Sequence, residues 1–382
     1  MAIKLKLDGS VRFFIAIMGI TVIALVLKEL SHIFIPFVIA YFLYFLFSPL
    51  NEYLQEKRIP LMIVVLLDIL IVGIIIWGLS SFIIGSFMRF GDQAPLYFDK
   101  LNKIVSDTAE SLKVKNTFFR HFSIQKVIAR INYQELAGGI FSSTFSLIGN
   151  IMFILFFYIF VVTGQSTIYK AIKTRFVLNR VNPVQDKTKK EDQPDAANPD
   201  FKQWMGDKLN IERHENEKKL SDTFKAITEQ IQRYIILKIA INLAAGLVVW
   251  IFLSILGVEF PFIWGLFTFL FNFIPTIGSA IALFLPVIMT LLEFGSVTFA
   301  LVIALILIAI QTLFFNVIEP NLIGKRLNLN PLLILMSVLI WGYIWGIVGM
   351  LLAVPLTAII KIIISNSDSE NLTFISDLMS QE

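Results

Sequence analysis

The stretch of sequence that decides the fold is residues 260–292, FPFIWGLFTFLFNFIPTIGSAIALFLPVIMTLL. It runs for more than thirty residues without a charged side chain, whereas a bilayer core of ~30 Å needs only ~20 helical residues. Pro275 and Gly278, the two residue types that least favour a continuous helix, interrupt it near its middle. The stretch is therefore too long for one membrane helix and too broken for two ordinary ones.

A second stretch, residues 327–360, has the same character, with Gly346, Gly349 and Pro355 inside it. Interrupted helices leave backbone groups free inside a membrane, and such segments commonly form the solute site of a transporter. Two geometries are open for each stretch. It is either a re-entrant hairpin, which we favour, or a long span that is kinked and tilted.

The composition indicates an integral membrane protein. Hydrophobic residues make up 57% of the chain and charged residues 16%, against about a quarter charged in globular domains. Full spans are predicted at residues 13–30, 33–50, 61–88, 139–164, 234–256 and 296–318. Pro49 is expected to end the second of these spans. The predicted fold class is all-α, a polytopic helical membrane protein with two broken or re-entrant segments.

Polar composition and the helical spacing of apolar residues predict which segments lie outside the membrane. We divide the chain into N-terminal spans (1–90), an extracytoplasmic helical segment (91–138), a single span (139–164), a cytoplasmic loop and amphipathic helix (165–233) with a disordered insertion (180–200), a C-terminal membrane region (234–364) and a cytoplasmic tail (365–382).

Lysine and arginine residues predict the orientation. Lys4, Lys6 and Arg12 place the N-terminus in the cytoplasm, and the C-terminus follows there whichever geometry the broken stretches adopt. Lys325 and Arg326 lie in the short loop between those stretches, and that loop is outside if both stretches cross fully and cytoplasmic if each is a hairpin. This charge argument is the reason for favouring hairpins.

The sequence carries no recognisable catalytic constellation. The three histidines are far apart, and the zinc-protease, serine-hydrolase and phosphate-loop motifs are missing. We therefore predict a protein that is not an enzyme, has no cofactor or metal, and depends on a gradient rather than on its own ATPase. The net charge of +4 is a topology signal, so no nucleic-acid partner is expected.

Asp68 and Lys238 are charged residues inside predicted spans, at similar depths. A carboxylate is costly in hydrocarbon, so Asp68 must face the protein interior or water. One interpretation is a proton or cation relay, with Glu319 as the next candidate. The other is a structural ion pair between Asp68 and Lys238, or a Lys238 that snorkels alone.

The C-terminal half resembles the autoinducer-2 exporter family, also called PerM-like permeases. The residues that carry the resemblance are Asn272-Phe-Ile-Pro275-Thr-Ile-Gly278, Gln311, Asn316-Val-Ile-Glu-Pro320-Asn-Leu-Ile-Gly324, Asn330-Pro331 and Gly346-Ile-Val-Gly349-Met-Leu-Leu-Ala-Val-Pro355-Leu. The resemblance implies a multi-pass protein of the bacterial inner membrane that is homo-oligomeric and exports autoinducer-2, or in other members exchanges sodium or lithium for protons. Asn330 departs from the family, which often has histidine at that position.

We therefore expect a gradient-driven transporter in the lipid bilayer, most simply an exporter of a small polar solute such as autoinducer-2. The alternatives are an antiporter of sodium or lithium ions and protons, and a scaffold protein that transports nothing. The expected solute pathway comprises Asn272, Pro275, Gly278, Gln311, Asn316, Pro320, Gly324, Gly349 and Pro355. The expected ion-coupling residues are Asp68, Lys238 and Glu319.

Overall fold

The computed structural model describes residues 9–111, 149–164, 199–275, 277–323, 329–365 and 379, and its regular elements are helical. The helices are α1 (Gly9–Glu29), α2 (Ser31–Glu56), α3 (Leu61–Ser111), α4 (Gly149–Gly164), α5 (Pro199–Ile255), α6 (Pro261–Phe271), α7 (Ile277–Phe294), α8 (Val297–Gln311), a π-helix (Thr312–Ile318), α9 (Glu319–Ile323) and α10 (Pro331–Ser365).

The first broken stretch folds back on itself as a helical hairpin, with α6 and α7 as its arms. At the open end, the backbone N–H of Glu259 donates to Oε2 of Glu293 at 2.9 Å. At the closed end, a Cβ built on Gly278 would lie 1.7 Å from the carbonyl oxygen of Phe271. Seven residues of straight helix would separate these two positions by about 10 Å, so the chain reverses between them.

The second broken stretch, within α10, is also a hairpin. Its backbone reverses at Gly346, which has φ 62° and ψ −141°, a conformation that glycine adopts without steric cost. A Cβ built on Gly349 would lie 1.9 Å from the carbonyl oxygen of Trp341. Ile334 in the first arm packs against the same core cluster as Ala358 in the second. The favoured hairpin geometry therefore describes both stretches.

The two hairpins enter the molecule from opposite ends. The open end of the second packs against Ile231 of α5, whereas the first begins just beyond Ile255, where α5 ends. These α5 positions lie roughly 36 Å apart at 1.5 Å per helical residue, which exceeds the ~30 Å bilayer core. The hairpins meet inside, where Ile274 near the first closed end packs against Val338 of the second.

The far end of α3 holds the open end of the first hairpin. The hydroxyl of Tyr97 donates to the carboxylate of Glu259, and Nζ of Lys100 donates to the carbonyl oxygen of Glu293 at 2.7 Å. The tip of the second hairpin is held instead by α1, because Nε1 of Trp345 donates to a carbonyl of that helix at 2.9 Å.

The expectation that Pro49 ends the second span is wrong, because α2 continues to Glu56 with both Pro36 and Pro49 inside it. Proline is tolerated within membrane helices where neighbouring helices pack against the interruption. Here Phe47 of α2 belongs to a core cluster that includes Tyr158 of α4. Packing between helices therefore overrides the local preference.

Six helices of the described part are long and apolar enough to cross a bilayer: Ser31–Glu56, Leu61–Asp107, Ser221–Ile255, Ile277–Phe294, Val297–Ile323 and Pro331–Ser365. Together with the all-helical architecture, they make this a multi-pass membrane protein. Neither α3 nor α5 breaks where we divided the chain, at residues 90–91 and 233–234, so those boundaries stay predictions. Residues 112–138 and residues 180–198 of the predicted insertion (180–200) lie outside the described residues, and its last two residues begin α5.

Candidate functional site

A cavity of about 470 Å³ lies where the two hairpins meet α5 and the segment from α8 to α9. Polar side chains of the first hairpin, of α5 and of the segment from α8 to α9 line it among membrane-spanning helices, whereas the second hairpin contributes only Ile334 and Val354. The lining residues are Lys238, Asn272, Pro275, Ser279, Ala280, Leu283, Ile308, Gln311, Thr312, Phe315, Asn316, Glu319, Ile334 and Val354.

The π-helix supplies one wall of this cavity. Thr312, Phe315 and Asn316 belong to it, and Gln311 and Glu319 flank it. A π-helix is rare, usually occurs as a single widened turn, and is found disproportionately at functional sites. Here seven consecutive residues adopt it, and they carry most of the side chains on this wall.

A buried ion pair crosses the cavity between α5 and α9. Nζ of Lys238 donates to Oε1 of Glu319 at 2.7 Å, and both side chains are largely buried. The ammonium group of Lys238 also lies 5.5 Å from the ring centre of Phe315, within range of a cation–π interaction. The two charges cancel, so the pair leaves the site without net charge.

Asn272 ties the two arms of the first hairpin together. Its Nδ2 donates to the carbonyl oxygen of Thr268 at 2.7 Å, and its Oδ1 accepts from Oγ of Ser279 at the same distance. These bonds compensate for the break before Pro275. Asn272 therefore lines the cavity with both of its polar atoms engaged, whereas the buried Oε1 of Gln311 has no partner among the described residues.

The remaining expected pathway residues take different places. Gly278 and Gly349 allow the arms of each hairpin to approach closely and do not line the cavity. Pro355 is buried beside the lining residue Val354, and Pro320 follows Glu319 in α9. Gly324 lies outside the described residues.

One of the alternatives, an ion pair between Asp68 and Lys238, is wrong, because Lys238 pairs with Glu319. Asp68 is fully buried and accepts a hydrogen bond from the hydroxyl of Tyr158, which in turn accepts from Nδ2 of Asn51 at 3.5 Å. Asp68 on α3 faces α2 and α4. Lys238 on α5 faces α9 instead. Similar depth along two helices does not fix the faces on which side chains lie.

Sequence reasoning missed eight of the fourteen lining residues, among them the polar Ser279 and Thr312 and the aromatic Phe315. A signal was present for Phe315, because it stands four residues from both Gln311 and Glu319, and that spacing places side chains on one face of a helix. Nothing in the sequence marks the π-helix.

Residues 202–368 match the sequence pattern of the AI-2E family transporter family. A transport-named relative from Borreliella burgdorferi is 40% identical over 141 residues, which are 37% of this chain and 39% of that protein. AI-2 transport protein TqsA from Escherichia coli is 42% identical over 134 residues, or 35% and 39%. In both cases the match spans about two-fifths of the relative's own length.

One relative extends the similarity along the chain. A protein from Haemophilus influenzae, whose name also assigns it to transport, is 25% identical over 359 residues, 92% of each chain. The six apolar helices and the paired hairpins fit a membrane transport protein, which is also what the names of these relatives indicate. Residues 202–368 thus match the sequence pattern of AI-2E family transporters, and the chain as a whole is similar to a protein whose name assigns it to transport.

Proposed function

We propose that this chain is a gradient-driven transporter that exports a small polar solute through the cavity between its two hairpins. The observation that carries the proposal is a cavity with polar side chains in its wall, at the place where two hairpins that enter from opposite ends meet. Discontinuous helices that meet inside a membrane are the usual site at which transporters hold polar solutes.

The chemistry of the lining favours a neutral solute with several hydrogen-bonding groups. Hydroxyl and amide groups of Ser279, Thr312, Gln311 and Asn316 line the cavity, and its two charged groups form one neutral pair. The cavity offers a bare ion no unpaired opposite charge, because Lys238 and Glu319 neutralise each other. AI-2, which the name of the E. coli relative gives as its cargo, is the candidate solute for this chain too.

Within this proposal the residues divide by role. Gln311 and Asn316 hydrogen-bond the solute, while Asn272 and Pro275 shape the tip of the first hairpin, which lies beside the solute. Gly278, Gly349 and Pro355 shape the hairpin backbones, and Pro320 and Gly324 stay members of the proposed solute pathway. Glu319, together with Lys238, is the ion-coupling candidate that lines the cavity.

The direction of transport and the topology of the chain in the membrane are also part of the proposal. Export follows the resemblance to the autoinducer-2 exporters, and the bacterial inner membrane with both termini in the cytoplasm follows the distribution of lysine and arginine. A homo-oligomer is expected on the same resemblance. Labelling a cysteine introduced by Lys325→Cys tests the topology cleanly, because the chain contains no cysteine. Reaction from the cytoplasmic side alone fits, and reaction from the periplasmic side alone contradicts it.

A flux panel in proteoliposomes tests the transport proposal. We expect AI-2 or a small neutral polyol to move down an imposed gradient, and Gln311→Leu to reduce that flux in folded protein. Leu305→Ala, on the exposed face of α8, is the matched control and should leave flux unchanged. The absence of flux for every neutral solute tested would refute the proposal.

One observation favours a second candidate, exchange of a monovalent cation for protons. Oδ1 of the buried Asp68 carboxyl group has no hydrogen-bond partner among the described residues, as expected of a group that exchanges a proton or cation. Asp68→Asn keeps an acceptor for Tyr158 and removes the titratable group. Loss of proton flux in this variant would support the antiporter, and unchanged flux would exclude Asp68 from coupling.

A further inference from the structure

Three polar residues follow one another along a single face of α5, the long helix beside the cavity. Tyr234, Lys238 and Asn242 stand at steps of four residues, so their side chains lie above one another over roughly 12 Å. Lys238, in the middle, lines the cavity and pairs with Glu319. Tyr234 belongs to the core cluster that includes Val354, which also lines the cavity.

The two outer residues of this row carry buried polar atoms without partners. Within the described part of the chain, the hydroxyl of Tyr234 and both polar atoms of the Asn242 amide lack hydrogen bonds. Tyr234 is 4% exposed and Asn242 is 0% exposed, so neither reaches bulk solvent or lipid headgroups. Leaving a buried polar group unpaired is expensive, and native proteins contain few such groups.

Most of the partnerless buried atoms belong to α5 or to the cavity wall. Six buried side-chain atoms in the described residues lack a partner, and four of them belong to Tyr234, Asn242 and Gln311. Other buried polar side chains form hydrogen bonds within their own helices. Thr268 donates to the carbonyl oxygen of Trp264, and Thr290 donates to that of Pro286. Tyr234 and Asn242 make no such bond within the described residues.

We propose that Tyr234 and Asn242 extend the cavity into a polar file along α5, which hydrogen-bonds water and the hydroxyl or carbonyl groups of a neutral polar solute. The solute part of this inference rests on the transport function proposed above, whereas the water part does not. The Lys238–Glu319 pair stands in the middle of the file and adds no net charge. Buried polar groups that lack protein partners are the usual sites of structural water.

Hydroxyl-radical footprinting of the full chain in lipid nanodiscs tests the water part. Tyr158 is the matched control, because it is buried as deeply as Tyr234 and differs in having its hydroxyl bonded to Asp68. Radicals form from water, so we expect Tyr234 to be oxidised several times faster than Tyr158. Equal, slow oxidation of the two tyrosines would overturn the proposal.

Substitution separates the file from an ordinary packed core. Because their polar atoms have no protein partner, Tyr234→Phe and Asn242→Leu should keep or raise the melting temperature while reducing solute flux severalfold. Tyr158→Phe should lower the melting temperature, since it leaves Asp68 without its donor. A fall in melting temperature for Tyr234→Phe equal to that for Tyr158→Phe would overturn the proposal, as would unchanged flux in both α5 variants.

The outcomes distinguish this inference from the proposed function. Wild-type protein that carries no solute but shows fast oxidation of Tyr234 refutes the transport proposal and supports the water-filled file. Wild-type protein that carries solute, with α5 variants that carry it equally well, supports transport and refutes the file.

Discussion

The close approach at Gly278 gives a sharp test of the hairpin fold. Replacing Gly278 with alanine adds one methyl group at the place where the two arms of the first hairpin meet. That Cβ would lie 1.7 Å from the carbonyl oxygen of Phe271 and 2.6 Å from its carbonyl carbon. Both colliding atoms belong to the backbone, so no side-chain rotation relieves the contact.

The size of the clash sets the expected effect. Real Cβ atoms essentially never approach another heavy atom closer than 3.0 Å, so the arms must separate by about 1.3 Å. Overpacking in a well-packed core costs about 1–3 kcal/mol, and we expect about 3 kcal/mol here because the backbone itself must move. The separation would also break the hydrogen bond between Asn272 and Ser279 that closes the hairpin.

Thermal unfolding of purified protein in nanodiscs measures this cost. Gly73→Ala in α3 is the matched control, because a Cβ on Gly73 meets no atom within 4 Å. That control should be neutral or stabilising by about 0.5–1 kcal/mol, since alanine suits a helix interior better than glycine. If Gly278→Ala melts at the same temperature as Gly73→Ala, the arms do not touch as described and the hairpin is wrong.

Three further changes test other contacts. Lys238→Met should destabilise the protein by about 3 kcal/mol because it leaves Glu319 buried without its partner, and adding Glu319→Gln should recover most of that loss in the same melting assay. Tyr97→Phe should cost about 1 kcal/mol through the lost hydrogen bond to Glu259, and an unchanged melting temperature would count against that contact. Trp345→Phe should cost a similar amount and should speed hydrogen exchange at the end of α1, because it releases the second hairpin from that helix.

Much of the fold could be predicted because it depends on local sequence. The length of residues 260–292, their lack of charge and the position of Pro275 indicate a broken membrane segment without reference to the rest of the chain. The short basic loop at Lys325 then favours hairpins over full spans. Both hairpins appear in the structure, with their reversals at the glycine and proline positions that sequence analysis identified.

The site was predicted less completely, because its residues come together from distant parts of the chain. Asn272, Gln311, Asn316, Lys238 and Glu319 were all candidates, and all of them line one cavity. The neighbours of each candidate were not predictable, as the wrong pairing of two charged residues shows. A charged side chain inside a span must find a partner, but its type and depth do not reveal which neighbouring helix supplies it.

The sequence by itself determined that the chain is a multi-pass membrane protein and where its helices break, because hydropathy and the conformational limits of proline and glycine act within a few residues. Only the tertiary structure decided which faces meet. Lys238 pairs with Glu319 across 81 residues, and Asp68 bonds Tyr158 across 90. Such contacts depend on the rotation of each helix about its axis, and that rotation is set by packing against neighbouring helices.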